Sequence, residues 1–260
     1  MWNRTHPTHH EPDTSEHHPL GDPRLNMSHH VERYGDKMKI AQIAGFLGSG
    51  KTTALMRIVD GLVGRGNRVA IVVNDVGDIS VDARFIEAHG LKAKEISGGC
   101  ICCQIAGSFA ETLAMLHDSF DPDIVIVEPS GVAIPWGLKR AAEFSESKTD
   151  VVIEHAPVIT LVDSSRIDIL MRAVKRLVET QIREADICFI NKVDVATDDD
   201  IRKTEEAIRS INQTAEVLRM SALTGEGIDY AVEAIESRTS PRYDKANEAE
   251  LLRKQYNGGE

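Results

Sequence analysis

The chain has 260 residues, a net charge of −11 and an apolar content of 42%, which suits one α/β domain with a sizeable core. Its lysines and arginines are scattered, and this argues against a nucleic-acid groove, which needs a concentrated basic face. No apolar run reaches the roughly 20 residues that span a bilayer and no signal segment begins the chain, so we expect a cytoplasmic protein without a membrane partner.

Residues 1–36 are rich in His, Pro, Asp and Glu and have almost no apolar periodicity. Such a segment buries too little apolar surface to offset its chain entropy, so we expect a disordered arm. Its imidazoles suggest a weak metal-collecting role, and the alternatives are a solubilising leader or upstream residues of a misassigned start. Seven of the ten histidines of the chain fall here: His6, His9, His10, His17, His18, His29 and His30.

A glycine-rich motif follows the first predicted strand, 38–44, and opens the first predicted helix, about 51–64. The motif, Gly45-Phe-Leu-Gly-Ser-Gly-Lys-Thr-Thr53, fits the P-loop template of Gly, four residues and Gly-Lys-Ser/Thr. We expect Lys51 to reach the β- and γ-phosphates and Thr52 to ligate Mg²⁺. Backbone amides of the loop and of the helix start complete the phosphate site, which takes in Gly48, Ser49, Gly50, Lys51, Thr52 and Thr53.

The remaining sequence alternates short β-branched runs with amphipathic ones. This pattern predicts an α/β class, three-layer P-loop NTPase fold, with a mostly parallel sheet and helices on both faces. The domain is expected to span 37–240, with a charged tail at 241–260. Further strands are predicted at 69–73, 124–128, 157–162, 186–190 and 216–220, with 91–96 as an edge strand. Further helices are predicted at about 104–118, 136–146, 166–184, 199–211 and 226–237.

A polar segment, Asn74 to Asp82, follows the second strand and is the candidate switch that senses the γ-phosphate and Mg²⁺. Within it, Asp75 is the expected direct or indirect metal partner. The alternative is an ordinary surface loop. No His or Gln stands in an obvious water-orienting position, so we expect a slow intrinsic nucleotide hydrolysis.

Three of the four cysteines fall in the run Ser97-Gly-Gly-Cys-Ile-Cys-Cys103, directly before a predicted helix. A helix N-terminus lowers thiol pKa values, and thiolates suit cations such as Zn²⁺, Co²⁺ or Ni²⁺. We therefore expect Cys100, Cys102 and Cys103 to bind a transition metal, with a redox or merely buried cluster as the alternative. A structural zinc knuckle would need a second ligand pair, and Cys188 lies in an apolar strand where we expect simple core.

The third long strand ends at Glu128-Pro-Ser-Gly131. Ligands of an open parallel sheet bind at the carboxyl ends of its strands. Glu128 is therefore expected to hold Mg²⁺ directly or through water, and the Gly131 amide to sense the γ-phosphate, unless Glu128 is an ordinary end-of-strand carboxylate. Together with Lys51 and Asp75, these are the candidate catalytic residues.

The strand at 186–190 leads into Asn191-Lys-Val-Asp194. The Asp194 carboxylate can accept hydrogen bonds from the ring N–H and the exocyclic amine of guanine, while the stem of Lys192 covers the base. Adenine offers the wrong donor pattern, so GTP and GDP are the expected nucleotides. One strand further on, Ser221-Ala222-Leu223 is placed to offer a backbone amide to the guanine carbonyl.

In this order, the motifs resemble the CobW family of P-loop GTPases, which groups with the nickel-insertion GTPases of hydrogenase and urease maturation. The resemblance spans about 38–235 and implies GTP-dependent metal delivery to a client metalloenzyme or cofactor-assembly protein, through Cys100, Cys102 and Cys103. It also implies frequent homodimers. The residues that carry it are Gly45 to Thr53, Asn74-Asp-x-Gly77 with Asp82, Gly99-Cys-Ile-Cys-Cys103, Glu128-x-Ser-Gly-x-Ala-x-Pro135, and Ala185-Asp186 with Asn191-Lys-x-Asp194.

The chain departs from that family in two places. Only about 20 residues follow the predicted domain, where larger members have a second domain, and Asn74-Asp75 stands where Asn-Glu is usual. The short length and the His-rich leader resemble the hydrogenase nickel GTPase instead. An alternative function is a GTPase chaperone that gates cofactor loading of a corrinoid or metal-dependent enzyme without carrying metal.

Overall fold

The computed structural model of the protein describes residues 37–73, 92–95, 106–146 and 151–242. Within these ranges the strands are β1 (Lys37–Gly45), β2 (Val69–Val73), β3 (Lys92–Glu95), β4 (Ile124–Glu128), β5 (Val152–Asp163), β6 (Ile187–Asn191) and β7 (Glu216–Arg219). The helices are α1 (Lys51–Gly64), α2 (Ala106–Phe120), α3 (Pro135–Ser145), α4 (Ile167–Ala173), α5 (Lys175–Arg183), α6 (Asp198–Ile211) and α7 (Ile228–Ser237). A 3-10 turn at Ser164–Arg166 precedes α4.

The strands form one sheet in the order β3-β2-β4-β1-β5-β6-β7. Every neighbouring pair is parallel. Because β1 lies between β4 and β5, the loops that follow β1, β4, β5 and β6 meet at one edge of the sheet. The predicted α/β class and parallel sheet are confirmed.

Helices cover both faces of this sheet, as the alternation of side chains along β4 illustrates. Ile124 and Ile126 join a core cluster with residues of α1 and α7, whereas Val125 and Val127 join a cluster with residues of α2 and α3. A third cluster packs α4, α5 and α6 against β5 and β6. Side chains of a strand alternate between its faces, so these apolar runs are buried on both sides and the three layers are confirmed.

Two elements differ from the sequence-based prediction. β5 begins at Val152 rather than at 157, and the helix predicted at 166–184 is divided into a 3-10 turn and two helices. The division falls at Val174, whose backbone leaves the helical region with φ −142° and ψ 34°. The break lets apolar residues of both α4 and α5 pack into the same cluster beneath the sheet.

Several predicted features lie outside the described residues: the His-rich arm, the candidate switch at 74–82 and the cysteine run at 97–103. In the described ranges, every helix is too short or too polar to cross a bilayer.

Candidate functional site

The loop after β1 wraps back on itself because three glycines take conformations that side chains disfavour. Gly45, Gly48 and Gly50 have φ angles of +140°, +74° and +94°. A Cβ at Gly50 would lie 2.5 Å from the Nδ2 of Asn191, so only glycine fits there. Gly50 is also the N-cap of α1, whose first-turn amides have no helical acceptor. The result is a concave set of amides of the kind that binds phosphate.

Lys51 is the first residue of α1 and is 7% exposed. Its Nζ donates across the loop to the carbonyl oxygen of Phe46, at a long 3.4 Å. The ammonium group is therefore held at the loop itself, where a phosphate oxygen can replace that weak carbonyl contact. Thr53, two residues further on, is exposed on the first turn of the helix.

Thr52 and Glu128 are joined directly, although they are far apart in sequence. The Thr52 hydroxyl donates to Glu128 Oε1 at 2.9 Å, and the glutamate is 7% exposed at the end of β4. Hydroxyl and carboxylate oxygens are the ligands that Mg²⁺ prefers. This donor pair therefore fits a Mg²⁺ held by Thr52, with Glu128 as a direct or water-mediated partner.

The loop after β4 lies against the P-loop. A Cβ at Gly131 would be 2.9 Å from the backbone nitrogen of Leu47 and 3.2 Å from its Cα, so the two loops touch through backbone. Gln181 on α5 fixes the β4 loop from the other side, since its buried amide donates to the carbonyls of Gly131 and Ala133 at 3.1 Å each. Sequence reasoning missed Gln181, because one glutamine in an amphipathic helix carries no signal.

Asn191 connects the P-loop to the loop after β7. Its Nδ2 donates to the carbonyl of Ser49 at 2.6 Å, and its Oδ1 accepts from the backbone nitrogen of Ala222 at 3.0 Å. The side chain is fully buried. The amide thus makes backbone contacts on both sides and sets the distance between the phosphate loop and the predicted base loop.

Asp194 and Ser221 are adjacent at the predicted base site. The Ser221 hydroxyl donates to Asp194 Oδ1 at 2.6 Å and accepts from the Thr224 nitrogen at 3.1 Å, so the hydroxyl orients the exposed carboxylate. Leu223 is 68% exposed, and its carbonyl accepts from Arg57 Nη2 of α1 at 2.5 Å. The second half of the predicted guanine site is therefore anchored to the helix that follows the P-loop.

Lys192 pairs with Asp163, a residue that sequence reasoning did not select. Asp163 is the last residue of β5, is fully buried, and accepts from Lys192 Nζ at 2.7 Å. Burial alone would raise the pKa of Asp163, but hydrogen bonds from Lys192, Ser165 and Arg166 bring this pKa below its usual range. The available signal was an acid directly after an apolar strand, the rule that selected Glu128.

Four predicted site residues, Asp75, Cys100, Cys102 and Cys103, lie outside the described residues. The remaining cysteine, Cys188, is buried in β6, and burial raises the pKa of its thiol to about 12. A thiol that stays protonated is a poor metal ligand, so Cys188 belongs to the core.

Comparison with known protein families places most of the chain in a described nucleotide-binding domain. The family model described as CobW/HypB/UreG, nucleotide-binding domain, matches residues 39–219. The zinc chaperone CobW from Sinorhizobium sp is 28% identical over 202 residues, which cover 67% of this chain and 56% of that protein. The zinc chaperone YjiA from Escherichia coli (strain K12) is 30% identical over 183 residues, which cover 68% of this chain and 56% of that protein.

The crystal structure of the hydrogenase maturation factor HypB from Archaeoglobus fulgidus is similar in fold. The two structures align with a TM-score of 0.56 at 22% identity, and the alignment covers 76% of this chain and 89% of the HypB chain. By contrast, the chain spans little more than half the length of the zinc chaperones CobW and YjiA that it matches.

Proposed function

This chain belongs to the CobW/HypB/UreG family of nucleotide-binding domains, and we propose on that premise that it binds and hydrolyses GTP and carries a transition metal, zinc in the first place, to a metalloprotein. The observation that carries the nucleotide part is the Asn191 amide, which joins Ser49 of the P-loop to Ala222 of the base loop. Because the phosphate loop and the base loop are joined in this way, one nucleotide can bind with its phosphates in the first loop and its base in the second.

In this proposal the phosphates lie in the P-loop, and Lys51 exchanges its contact with Phe46 for a phosphate oxygen. Thr52 and Glu128 hold Mg²⁺, which would neutralise charge on the β- and γ-phosphates when bound. The backbone of Gly131 lies against Leu47 of the P-loop, which supports the proposal that the Gly131 amide senses the γ-phosphate. Asp75 is proposed as a further Mg²⁺ partner from its position in the switch segment.

Guanine is the proposed base because of the Asp194 carboxylate. Ser221 occupies one of its oxygens and leaves the group oriented by a buried hydroxyl. An oriented carboxylate accepts from two guanine N–H groups, whereas adenine would leave it without donors. Lys192 supplies an aliphatic stem to cover the ring.

The proposed metal ligands are Cys100, Cys102 and Cys103. Two relatives that match this chain are named zinc chaperones, which supports zinc ahead of cobalt and nickel. Three thiolates leave one position of a tetrahedral zinc site for water, a fourth side chain or a second copy of the chain, and an incomplete set suits a carrier that must release its ion. The cysteines and the switch segment occupy neighbouring stretches between β2 and α2, so nucleotide state and metal affinity are proposed to be coupled.

We test this by titrating Zn²⁺ into the full chain loaded with GDP or with a non-hydrolysable GTP analogue. The expected result is at least a tenfold difference in zinc affinity between the two states, which corresponds to about 1.4 kcal/mol of coupling. The variant C100S/C102S/C103S should lose tight zinc binding and keep GDP binding, while the matched control Cys188→Ser keeps both. Equal zinc affinity in both nucleotide states would refute the coupling.

Hydrolysis by this site is proposed to be slow, on the order of 10⁻⁴ to 10⁻² per second as for unassisted P-loop GTPases. A client metalloenzyme, or a second copy of the chain, would then act as the partner that accelerates the step. Phosphate release measured with and without zinc, and over a range of protein concentrations, tests this. A rate that does not change with protein concentration, with or without zinc, would argue against acceleration by a second copy of the chain.

A further inference from the structure

The short segment after β5 links the two halves of the nucleotide site through one carboxylate. Asp163 Oδ2 accepts from Lys192 Nζ at 2.7 Å and from Arg166 Nε at 2.7 Å. Asp163 Oδ1 accepts from the nitrogen and the hydroxyl of Ser165, at 3.1 Å and 2.7 Å. We call Asp163, Lys192 and Arg166 the Asp163 bridge.

An ordinary role for Asp163 is to cap the 3-10 turn, and Oδ1 does this through Ser165. Capping leaves Oδ2 unexplained, because that atom holds two cations. Burying a carboxylate is costly unless it is paired, and two cations on one acid give the bridge a net positive charge. That charge lies at the edge of the sheet where the proposed ligand is an anion.

Each cation of the bridge contacts a different nucleotide-binding motif. Arg166 Nη2 donates to the carbonyl of Leu47 in the P-loop at 3.0 Å. The loop makes room for this guanidinium, because a Cβ at Gly48 would lie 2.8 Å from Arg166 Nη2. Lys192 belongs to the Asn-Lys-x-Asp motif, and its backbone takes a left-handed conformation with φ +68°. Its side chain extends from β6 towards β5, where Asp163 receives it.

We propose that Asp163 is a positioning residue for guanine nucleotide binding. Asp163 holds the Lys192 ammonium so that the aliphatic stem of Lys192 lies extended over the base. Asp163 also holds the Arg166 guanidinium beside the Leu47 carbonyl of the P-loop. Both cations are thereby ordered before the nucleotide arrives, which reduces the entropy that binding must supply. The inference rests on the proposed function, since it assumes a guanine nucleotide at this edge.

The test measures the dissociation constant of a fluorescent GDP analogue for the full chain and its variants. Asp163→Asn keeps the shape and the Oδ1 acceptor but removes the charge that holds both cations, and we expect GDP binding to weaken at least tenfold. If Asp163 acts only through its two cations, the triple variant D163N/R166Q/K192M should bind GDP within twofold of R166Q/K192M. A merely structural aspartate would instead weaken binding by the same factor in both backgrounds.

Asp186 provides a matched control at the other end of β6. Its Oδ2 accepts from the Val158 nitrogen and from the Ser240 hydroxyl, each at 2.7 Å, away from the nucleotide motifs. Asp186→Asn should lower the melting temperature and leave GDP affinity within twofold of wild type. If D186N loses as much GDP affinity as D163N, then removing either carboxylate from this part of the sheet weakens GDP binding. That result would overturn the inference.

Arg166→Gln tests the bridge from its other end if D163N does not fold by circular dichroism. It releases the P-loop contact and leaves the pair of Asp163 and Lys192 in place, and we expect GDP binding to weaken three- to tenfold. Unchanged GDP affinity in R166Q and in a folded D163N overturns the inference while the proposed function stands. Wild-type protein that binds no guanine nucleotide refutes the proposed function itself.

Discussion

Asn191→Ala tests the assembly of the site most directly, because one buried amide holds two loops together. The change leaves the Ser49 carbonyl and the Ala222 nitrogen without their side-chain partner. Ser49 is 1% exposed and Ala222 is 4% exposed, so water does not readily replace the lost bonds. Each orphaned buried group costs about 1–3 kcal/mol. With partial relaxation we expect the free energy of unfolding to fall by about 3 kcal/mol, or a melting temperature about 6–12 °C lower.

The effect on nucleotide binding should be larger than the stability loss alone implies. A ligand at 100 times its dissociation constant stabilises a protein by about 2.7 kcal/mol. If Asn191→Ala weakens GDP binding about a hundredfold, the same GDP concentration stabilises the variant by only about 0.4 kcal/mol. The thermal shift caused by GDP should therefore shrink from about 5–11 °C to about 1–2 °C.

Asn212→Ala is the matched control for this experiment. Asn212 is also buried, and its amide also bridges two backbone segments, with Nδ2 donating to the Ile182 and Ala185 carbonyls and Oδ1 accepting from the Ala215 nitrogen. It lies after α6, away from the P-loop and base loop. Differential scanning fluorimetry with and without GDP should show a lower melting temperature for both variants and a full GDP shift for the control. A full GDP shift in Asn191→Ala would refute the reasoning.

Three further predictions concern single side chains of the described part of the chain. Gly131→Ala should weaken GDP binding on the order of tenfold, because its Cβ would lie 2.9 Å from P-loop backbone and such overpacking costs about 1–3 kcal/mol. Gly137→Ala is the control, because a Cβ at this position in α3 meets open space. This control should bind GDP normally and unfold at a higher temperature. Thr52→Ala and Glu128→Gln should each raise the Mg²⁺ concentration needed for half-maximal phosphate release at least tenfold while sparing Mg²⁺-free GDP binding. Thr52→Ala removes an oxygen ligand, and Glu128→Gln removes the negative charge of the carboxylate. An unchanged Mg²⁺ midpoint would contradict the assignment. Burial raises the pKa of Glu184 from 4.5 to about 7, so the folded state keeps a proton that the unfolded state releases, and stability falls as pH rises through that window. Glu184→Gln should flatten this slope in urea unfolding curves, and parallel slopes for wild type and variant would count against it.

The sequence predicted the parts of the fold and site that depend on short-range pattern. The P-loop is such a case, because Gly45, Gly48 and Gly50 have the positive φ angles that its template requires. The parallel sheet followed from the alternation of apolar runs. The bounds of 166–184 were wrong, since Val174 breaks a helix whose periodicity continues through it, and the break is decided by packing beneath the sheet.

The contacts that join the motifs could not be predicted in the same way, because they depend on strand register. Asn191 and Asp163 stand opposite each other in the pairing of β6 with β5, and Gly45 stands opposite Leu161 in the pairing of β1 with β5. A shift of either register would separate the groups that hold the site together, while leaving every motif intact in the sequence. The sequence identified Asn191 as a residue of a nucleotide-binding motif, but it could not predict the hydrogen bonds of Asn191 to the two loops.

Asp163 shows which part of the site could be predicted from the sequence and which part could not. The rule that selected Glu128, an acid directly after an apolar strand, applies equally to Asp163, so the sequence contained the signal for a site residue there. What it did not contain was the pair of cations, because Arg166 was expected to begin a long helix and Lys192 to serve the base alone. In the structure Arg166 ends a 3-10 turn whose N-cap is Asp163, and its guanidinium contacts both the Asp163 carboxylate and the P-loop. If the charge of Asp163, rather than the turn that it caps, holds Arg166 at the P-loop, then Ser165→Ala should weaken GDP binding only a few-fold, well short of the loss expected for Asp163→Asn. The Ser165 change removes one hydrogen bond to the Asp163 carboxylate and neither cation. Equal losses would mean that the turn, and not the charge of Asp163, controls the site.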